Sequence, residues 1–312
     1  MGTLMANVSL SEQVLDNRVA ADAFVRKRKP RWLRARLPQG EKYGQTVRLV
    51  HDNKLHTVCE EARCPNMGEC WSRGVATIMI LGETCTRSCG FCNVNTGRPP
   101  VLDTDEPRRT AEAVRTMNLQ HVVITSVNRD ELPDGGAAIW AETIRRTRDV
   151  SPQTTIEVLI PDFCGDWEAL QTVLDARPDV LNHNLETVRR LYPAVRPQAK
   201  YTRSLELLAR SRAAGFVTKT GIMVGIGERD DEVTDLMADL LDAGEPFVDI
   251  VTIGQYLQPS PKHLPVSRFV TPEQFERYKH DGEAMGLTHV ESSPMVRSSY
   301  QADRQFDVAR EG

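Results

Sequence analysis

Apolar runs rich in β-branched residues recur along this chain at Ala76–Gly82, His121–Val127, Thr154–Ile160, Val180–Glu186, Val217–Gly225 and Phe247–Tyr256. Between them, Asp105–Asn118, Ala137–Val150, Thr202–Ala214 and Asp230–Ala243 space apolar residues among charges, as helices covering a sheet do. The alternation predicts parallel strands joined by helical crossovers. Periodicity by itself does not separate a barrel from a doubly wound sheet. Pro259, Pro261 and Pro265 predict an irregular connection after the last run, because proline interrupts both helix and ladder.

Seven cysteines change the picture, since six of them fall into two sets of three. Cys59, Cys64 and Cys70 have C-x4-C-x5-C spacing, and Cys85, Cys89 and Cys92 have C-x3-C-x2-C spacing. Three closely spaced thiolates can ligate three irons of a [4Fe–4S] cube, which leaves the fourth iron open to a substrate or cosubstrate. Structural zinc is the plain alternative, but it takes closed sets of four built on C-x2-C or Cys–His pairs. A disulfide framework fits neither an odd number of cysteines nor a chain this long. Cys164, the seventh, is expected to be a semi-buried small hydrophobe away from both sets.

Composition supports an enzyme-sized core. A chain of 312 residues removes about 75% of its unfolded surface from water. Lys+Arg 39 against Asp+Glu 43 gives a formal charge of −4, so no global electrostatic argument favours nucleic acid. No apolar run approaches a membrane span and no signal-peptide block opens the chain. Glu12, Asp16 and Asp22 are unlike an acid-poor transit peptide, and thiol-rich clusters need a reducing compartment, so a cytoplasmic location is expected.

The C-x3-C-x2-C set with Phe91 before its last cysteine resembles the signature of the radical S-adenosylmethionine superfamily. The two sets together, with Asp134-Gly135-Gly136, Val158-Leu-Ile-Pro161-Asp162, Asn182-His183-Asn184 and Arg297-Ser298-Ser299-Tyr300, resemble the lipoyl synthase family along nearly the whole chain. The resemblance implies a partial (βα)6 barrel of the radical SAM type with amino- and carboxy-terminal extensions. Residues 1–75 would carry the auxiliary cysteines, 76–260 the barrel, and 261–312 a segment that folds back.

It also implies two [4Fe–4S] clusters and S-adenosylmethionine as cofactors. Cys85, Cys89 and Cys92 would hold the cluster that binds S-adenosylmethionine, whose reductive cleavage makes a 5′-deoxyadenosyl radical. Cys59, Cys64 and Cys70 would hold an auxiliary cluster whose missing ligand is the Ser299 oxygen, with Ser298 the nearby alternative. A serine oxygen is a harder iron ligand than thiolate, so that bond should release first. The implied reaction places two sulfurs, from the auxiliary cluster, at C6 and C8 of an octanoyl group on a carrier protein. No catalytic residue beyond the clusters is implied. The implied partners are octanoylated lipoyl carriers (the glycine cleavage H protein and the E2 lipoyl domains of 2-oxoacid dehydrogenases), an electron donor such as ferredoxin or flavodoxin, and a cluster-repair carrier, with no nucleic acid or membrane. Another radical sulfur-insertion enzyme is the nearest alternative. A cluster-bearing electron carrier or a zinc-bound RNA-binding protein would have to come from another class.

Active sites of parallel barrels gather at strand carboxyl ends. That rule makes Thr125, Ser126, Asn128, Asp130, His183, Asn184, Lys219, Gly225, Gly227 and Glu228 candidates for holding S-adenosylmethionine. Turn and cap chemistry, a satisfied core histidine, and a lysine reaching solvent are the ordinary readings of the same residues. Arg297 is placed to neutralise a cluster or fix the tail. The basic stretch Arg26–Arg34 is expected to help dock an acidic carrier.

Overall fold

The computed structural model describes residues 29–34, 38, 40–73, 75–242 and 244–311. In chain order, the elements used here begin with α1 (Glu41–Asp52), β1 (His56–Thr57), α2 (Val58–Glu61), α3 (Met67–Ser72), β2 (Thr77–Ile80) and α4 (Glu106–Met117). They continue with β3 (His121–Ser126), α5 (Ala137–Val150), β4 (Thr155–Leu159), α6 (Trp167–Asp175), β5 (Val180–Asn182) and α7 (Tyr201–Ala213). The last are β6 (Val217–Val224), α8 (Asp230–Ala238), β7 (Ile250–Gln255), α9 (Pro272–Ala284), β8 (His289–Ser292) and α10 (Ala302–Glu311).

Spatial order in the sheet follows chain order, β1 to β8. The six strands expected from the apolar runs are β2 to β7, all mutually parallel, and β8 extends the parallel order. Two-residue β1 pairs antiparallel on the other side. Among the described residues no pairing joins β1 to β8, and the parallel βα order agrees with the expected radical SAM type of sheet.

Local chemistry explains where the crossovers start and stop. Asp134 caps α5 by accepting from Gly136 N at 2.9 Å and Ala138 N at 2.8 Å. Gly136 adopts φ +90°, and a Cβ there would lie 2.6 Å from Leu81 Cδ1. Asp166 caps α6 through Glu168 N and Ala169 N. Thr271 and Pro272 open α9. The run predicted as helix to 243 ends at Ala238, where the chain turns into a short hairpin, Leu241–Asp242 with Glu245–Pro246.

Apolar side chains fill both halves of the layer between sheet and helices. Ile124, Ile156, Val158, Trp140 and Val173 pack in the first half, and Val224, Val251, Leu236, Phe275 and Val290 in the second. Each fully buried aliphatic side chain contributes about 1.5–3 kcal/mol. Tyr256 to Val270 form the irregular connection that the prolines predict. Among the described residues, no helix is long and apolar enough to cross a membrane.

Candidate functional site

Cys85 ends a two-residue bridge, Thr84–Cys85 against Asn95–Thr96, just beyond the end of β2. From there the loop to Cys92 is fastened on several sides. Gly90 N donates to Val195 O, Leu264 N to Gly90 O, and His263 Nε2 lies 2.9 Å from Cys92 O. Leu264 packs so closely that a Cβ on Gly90 would lie 2.7 Å from its Cδ1. The irregular connection after β7 thus serves as the outer wall of the cysteine loop.

Burial pushes the Cys92 thiol up to about 12, and Cys89 and Cys85 add to the shift. Cys89 is also raised by burial, partly offset by the Arg196 charge. Thiols that resist ionisation in water-poor surroundings lose their protons when a cation joins them, so this trio fits a metal cluster. Two buried polar atoms beside it, Ser126 Oγ and Asn128 Oδ1, have no partner among the described residues and fit a polar cosubstrate.

Arg87 organises the floor. Its guanidinium is 2% exposed, grips the Asp130 carboxylate at 2.7 and 2.9 Å, and reaches Asp162 at 2.6 Å. Arg203 holds the other Asp162 oxygen at 3.1 Å. Despite complete burial, Asp162 is held at about 2 by Arg87. The Pro161–Asp162 motif therefore anchors the cysteine loop. Cys164 departs from expectation: it is exposed, and its Sγ lies 3.3 Å from Arg87 Nη2 and 3.4 Å from Asp130 Oδ1. The left-handed backbone at Phe163 and Cys164 turns the thiol toward this network instead of into the core.

The first set is built on α2 and α3. Cys59 is buried, and burial with Cys64 nearby raises its thiol to about 11. Cys70 rises to about 12 by burial, with Cys59 and Cys64 adding to it. Asn93 Nδ2 donates to Glu61 O at 2.8 Å, which ties the two cysteine regions together. From the far end of the chain, Met295 O accepts from Asn66 Nδ2 at 2.7 Å, and Arg297 carries its charge toward Cys64 and Glu186. Ser298 Oγ exchanges hydrogen bonds with the Asn184 amide at 2.7 and 3.0 Å. Ser299 lines a cavity of about 490 Å³ with Thr46, Arg73 and His121, and its hydroxyl has no hydrogen bond among the described residues.

Several expected cosubstrate contacts are taken by the fold itself. Both ring nitrogens of His183 are occupied, Nδ1 by Ile160 O at 2.8 Å and Nε2 by Ser204 Oγ at 2.9 Å, so it is a core histidine. Burial lowers it to about 4. Lys219, completely buried, pairs with Glu157 at 3.0 Å rather than facing a ligand, and that pairing keeps the Glu157 carboxyl near 2. Glu228 accepts from Gly225 N, Ile226 N and Gly227 N at 2.7, 3.0 and 3.2 Å, which closes the glycine turn against an outside anion. Thr125 Oγ1 donates to Leu159 O, and Asp130 is held by Arg87. Ser126 Oγ and Asn128 Oδ1 stay without a partner among the described residues, whereas the Asn184 amide is taken by Ser298 and Glu186.

Glu186 and Arg196 escaped the sequence reading. Arg196 Nη1 donates to Asn184 O at 2.7 Å and Leu185 O at 3.2 Å. Burial raises the Glu186 carboxyl, and Arg196 opposes that rise. A glutamate closing an apolar run was a readable signal for the first, whereas nothing in sequence marks the second. Of the basic stretch, Arg26, Lys27 and Arg28 lie outside the described residues.

Comparison with known proteins adds ancestry to this geometry. Residues 79–240 match the profile of the radical SAM superfamily, and residues 4–64 that of the N-terminal domain of lipoyl synthase of the radical SAM family. A lipoyl synthase of Rubrobacter xylanophilus is 58% identical over 286 residues, 91% of this chain and 88% of that protein. One from Parabacteroides distasonis is 56% identical over 279 residues, 89% of this chain and 98% of its own length. The crystal structure of Streptococcus suis SuiB bound to S-adenosylmethionine superposes with a TM-score of 0.54 at 8% identity, over 73% of this chain and 53% of that one, a likeness of fold.

Proposed function

The chain belongs to the lipoyl synthase family of the radical S-adenosylmethionine superfamily, and on that footing we propose that it inserts two sulfur atoms, at C6 and C8, into an octanoyl group borne by a carrier-protein lysine. Cys85, Cys89 and Cys92 would hold the cluster that meets S-adenosylmethionine. Cys59, Cys64, Cys70 and Ser299 would hold a second one, the source of the sulfur. When bound, these groups supply a 5′-deoxyadenosyl radical for each C–H bond and a sulfide for each carbon.

The chain's own residues hold and shield this chemistry. Arg87, clamped by Asp130 and Asp162, keeps the loop from Cys85 to Cys92 in place. Ser126 and Asn128 keep oxygens without a partner among the described residues, and Glu186 and Arg196 bring a buried carboxylate and guanidinium near Cys89, where they would meet the cosubstrate's polar and charged groups. Of the two tail serines, Ser298 is tied to Asn184, which favours Ser299 as the free oxygen donor. Residues 1–75, 76–260 and 261–312 divide the labour into auxiliary cysteines, barrel and returning tail.

The observation that carries this reading is the pair of long-range bonds from the tail to the first cysteine set, Asn66 to Met295 and Tyr300 to Glu69. They hold the segment around Arg-Ser-Ser-Tyr against α3, which carries Cys70, and so support a serine oxygen as the fourth ligand of the first set. The proposed carriers are the glycine cleavage H protein and E2 lipoyl domains, met in part by the basic Arg26–Arg34 stretch. Ferredoxin or flavodoxin would deliver electrons, a cluster carrier would restore the auxiliary site, and a reducing cytoplasm suits the thiolates.

The test is anaerobic reconstitution followed by dithionite, S-adenosylmethionine and an octanoyl-lysyl peptide, with 5′-deoxyadenosine and peptide mass read together. Deoxyadenosine with a two-sulfur mass gain is expected. Deoxyadenosine without sulfur gain would move the substrate elsewhere, and neither signal from cluster-loaded protein would reject the enzyme.

A further inference from the structure

Cys85 is held differently from the other cysteines of its set. Its Sγ receives Asn128 N at 3.3 Å, Arg87 N at 3.4 Å and the Asn128 side-chain Nδ2 at 3.8 Å. Among the described residues, no side-chain amide reaches Cys89 or Cys92. Nor is the approach of Asn128 accidental, because the loop after β3 is laced to the residues following Cys85. Thr86 N and Thr86 Oγ1 both donate to Asn128 O at 3.1 Å, Asp130 N donates to Thr86 Oγ1 at 3.2 Å, and Arg87 grips Asp130 twice.

We propose that Asn128 is a positioning residue for Cys85, its amide donors setting how readily a cluster held there accepts an electron. The inference rests on Cys85 being a cluster ligand. Reduction adds negative charge that is shared by the ligand sulfurs. N–H donors aimed at a sulfur favour that reduced state and raise the potential. The amide's orientation agrees with this role. Among the described residues Asn128 Oδ1 is buried without a partner, so the sulfur contact is what distinguishes the two ends of the amide, and a flipped amide would turn its oxygen lone pairs on an anionic sulfur.

Two replacements separate the effects. Asn128→Leu removes the side-chain donor and keeps the backbone N–H, while Asn128→Asp preserves the shape and sets a carboxylate against the sulfur. The measurement is a potentiometric titration of the reconstituted full chain without S-adenosylmethionine, followed by electron paramagnetic resonance. It is repeated with Cys59, Cys64 and Cys70 changed to alanine so that one cluster contributes. At fixed potential the reduced-to-oxidised ratio should fall about three- to tenfold in Asn128→Leu and further in Asn128→Asp, tenfold being about 59 mV for one electron. Iron and sulfide content should equal the parent's, and if the leucine variant loads poorly the isosteric aspartate variant decides. Unchanged potentials in loaded variants would overturn the proposal. So would a loss confined to S-adenosylmethionine affinity, since the amide would then serve the cosubstrate and not the sulfur. A parent with no reducible cluster signal would instead reject the assignment of Cys85 itself.

Discussion

The Tyr300 hydroxyl donates to a carboxylate oxygen of Glu69 at 3.1 Å, across 231 positions of sequence. The residue after Ser299 is thereby fastened to the residue before Cys70. Asn66 with Met295, and Arg73 within 3.7 Å of Asp303, add two more links between the same segments. The neutral Asn66–Met295 bond contributes about 0.5–1.5 kcal/mol, the Tyr300 bond to the Glu69 carboxylate about 1.5–3 kcal/mol, and the exposed Arg73–Asp303 pair about 0–1 kcal/mol. The tail is therefore seated by several modest contacts rather than by one strong one.

Seating also depends on Gly254 in β7. A Cβ there would lie 2.1 Å from the Val296 backbone oxygen and 3.0 Å from Arg297 Nη1. Backbone cannot yield as a side-chain tip does, so Gly254→Ala should lift the tail. We expect iron from the first cysteine set to be lost to a chelator several-fold faster, with S-adenosylmethionine cleavage largely retained. Parent-like iron release would show that the tail does not depend on this close approach.

The two cysteine sets should separate functionally. Cys85→Ala is expected to abolish 5′-deoxyadenosine formation, whereas Ser299→Ala should spare part of it and impair sulfur transfer to the peptide. Product analysis of both variants side by side checks the division, and equal loss of cleavage would contradict it.

Inside the barrel, Lys219 and Glu157 are 0% and 1% exposed and 3.0 Å apart. Removing one partner strands a buried charge, so Lys219→Met should cost about 3–5 kcal/mol. The double variant Lys219→Met with Glu157→Leu should recover most of that loss. Urea unfolding of the three proteins measures both numbers, and a double variant as unstable as the single one would refute the coupling.

His183 predicts a stability change on the acid side. Ile160 O can only accept, so Nδ1 carries the proton in the neutral ring and Nε2 accepts from Ser204. Burial, with Arg196 next, lowers the histidine from 6.5 to about 4. Between those values the unfolded chain binds the extra proton, so stability is lost as pH falls from 6.5 toward 4, in total on the order of 3 kcal/mol. The carboxylates of Glu157 and Asp162, held near 2, lose their contribution only below about 4.5. In unfolding measured at several pH values, the difference between parent and His183→Gln should therefore narrow as the pH drops through this window. A constant difference would mean that His183 does not titrate there.

Much of the fold was readable because burying strands between layers leaves a strong apolar signature. All six expected strands are present, and α5 begins and ends where its pattern did. What escaped was short or half-polar. β8 is only His-Val-Glu-Ser, and β1 is two residues long. At the site, residue type and strand-end position were legible, but occupancy was not. His183, Lys219 and Glu228 look like ligand-binding groups in sequence, and each is spent on a partner 21 to 62 positions away or on its own turn.

By itself the sequence determined the βα order, the two sets of three cysteines and the family, because spacing and periodicity are local properties of a chain. Only tertiary structure decided which polar groups are engaged with one another: Arg87 between Asp130 and Asp162, Asn128 on the Cys85 sulfur, and Ser298 on Asn184. Those outcomes depend on hydrogen-bond partners brought together from distant segments, and a buried polar group's role is settled by whichever partner the fold delivers to it.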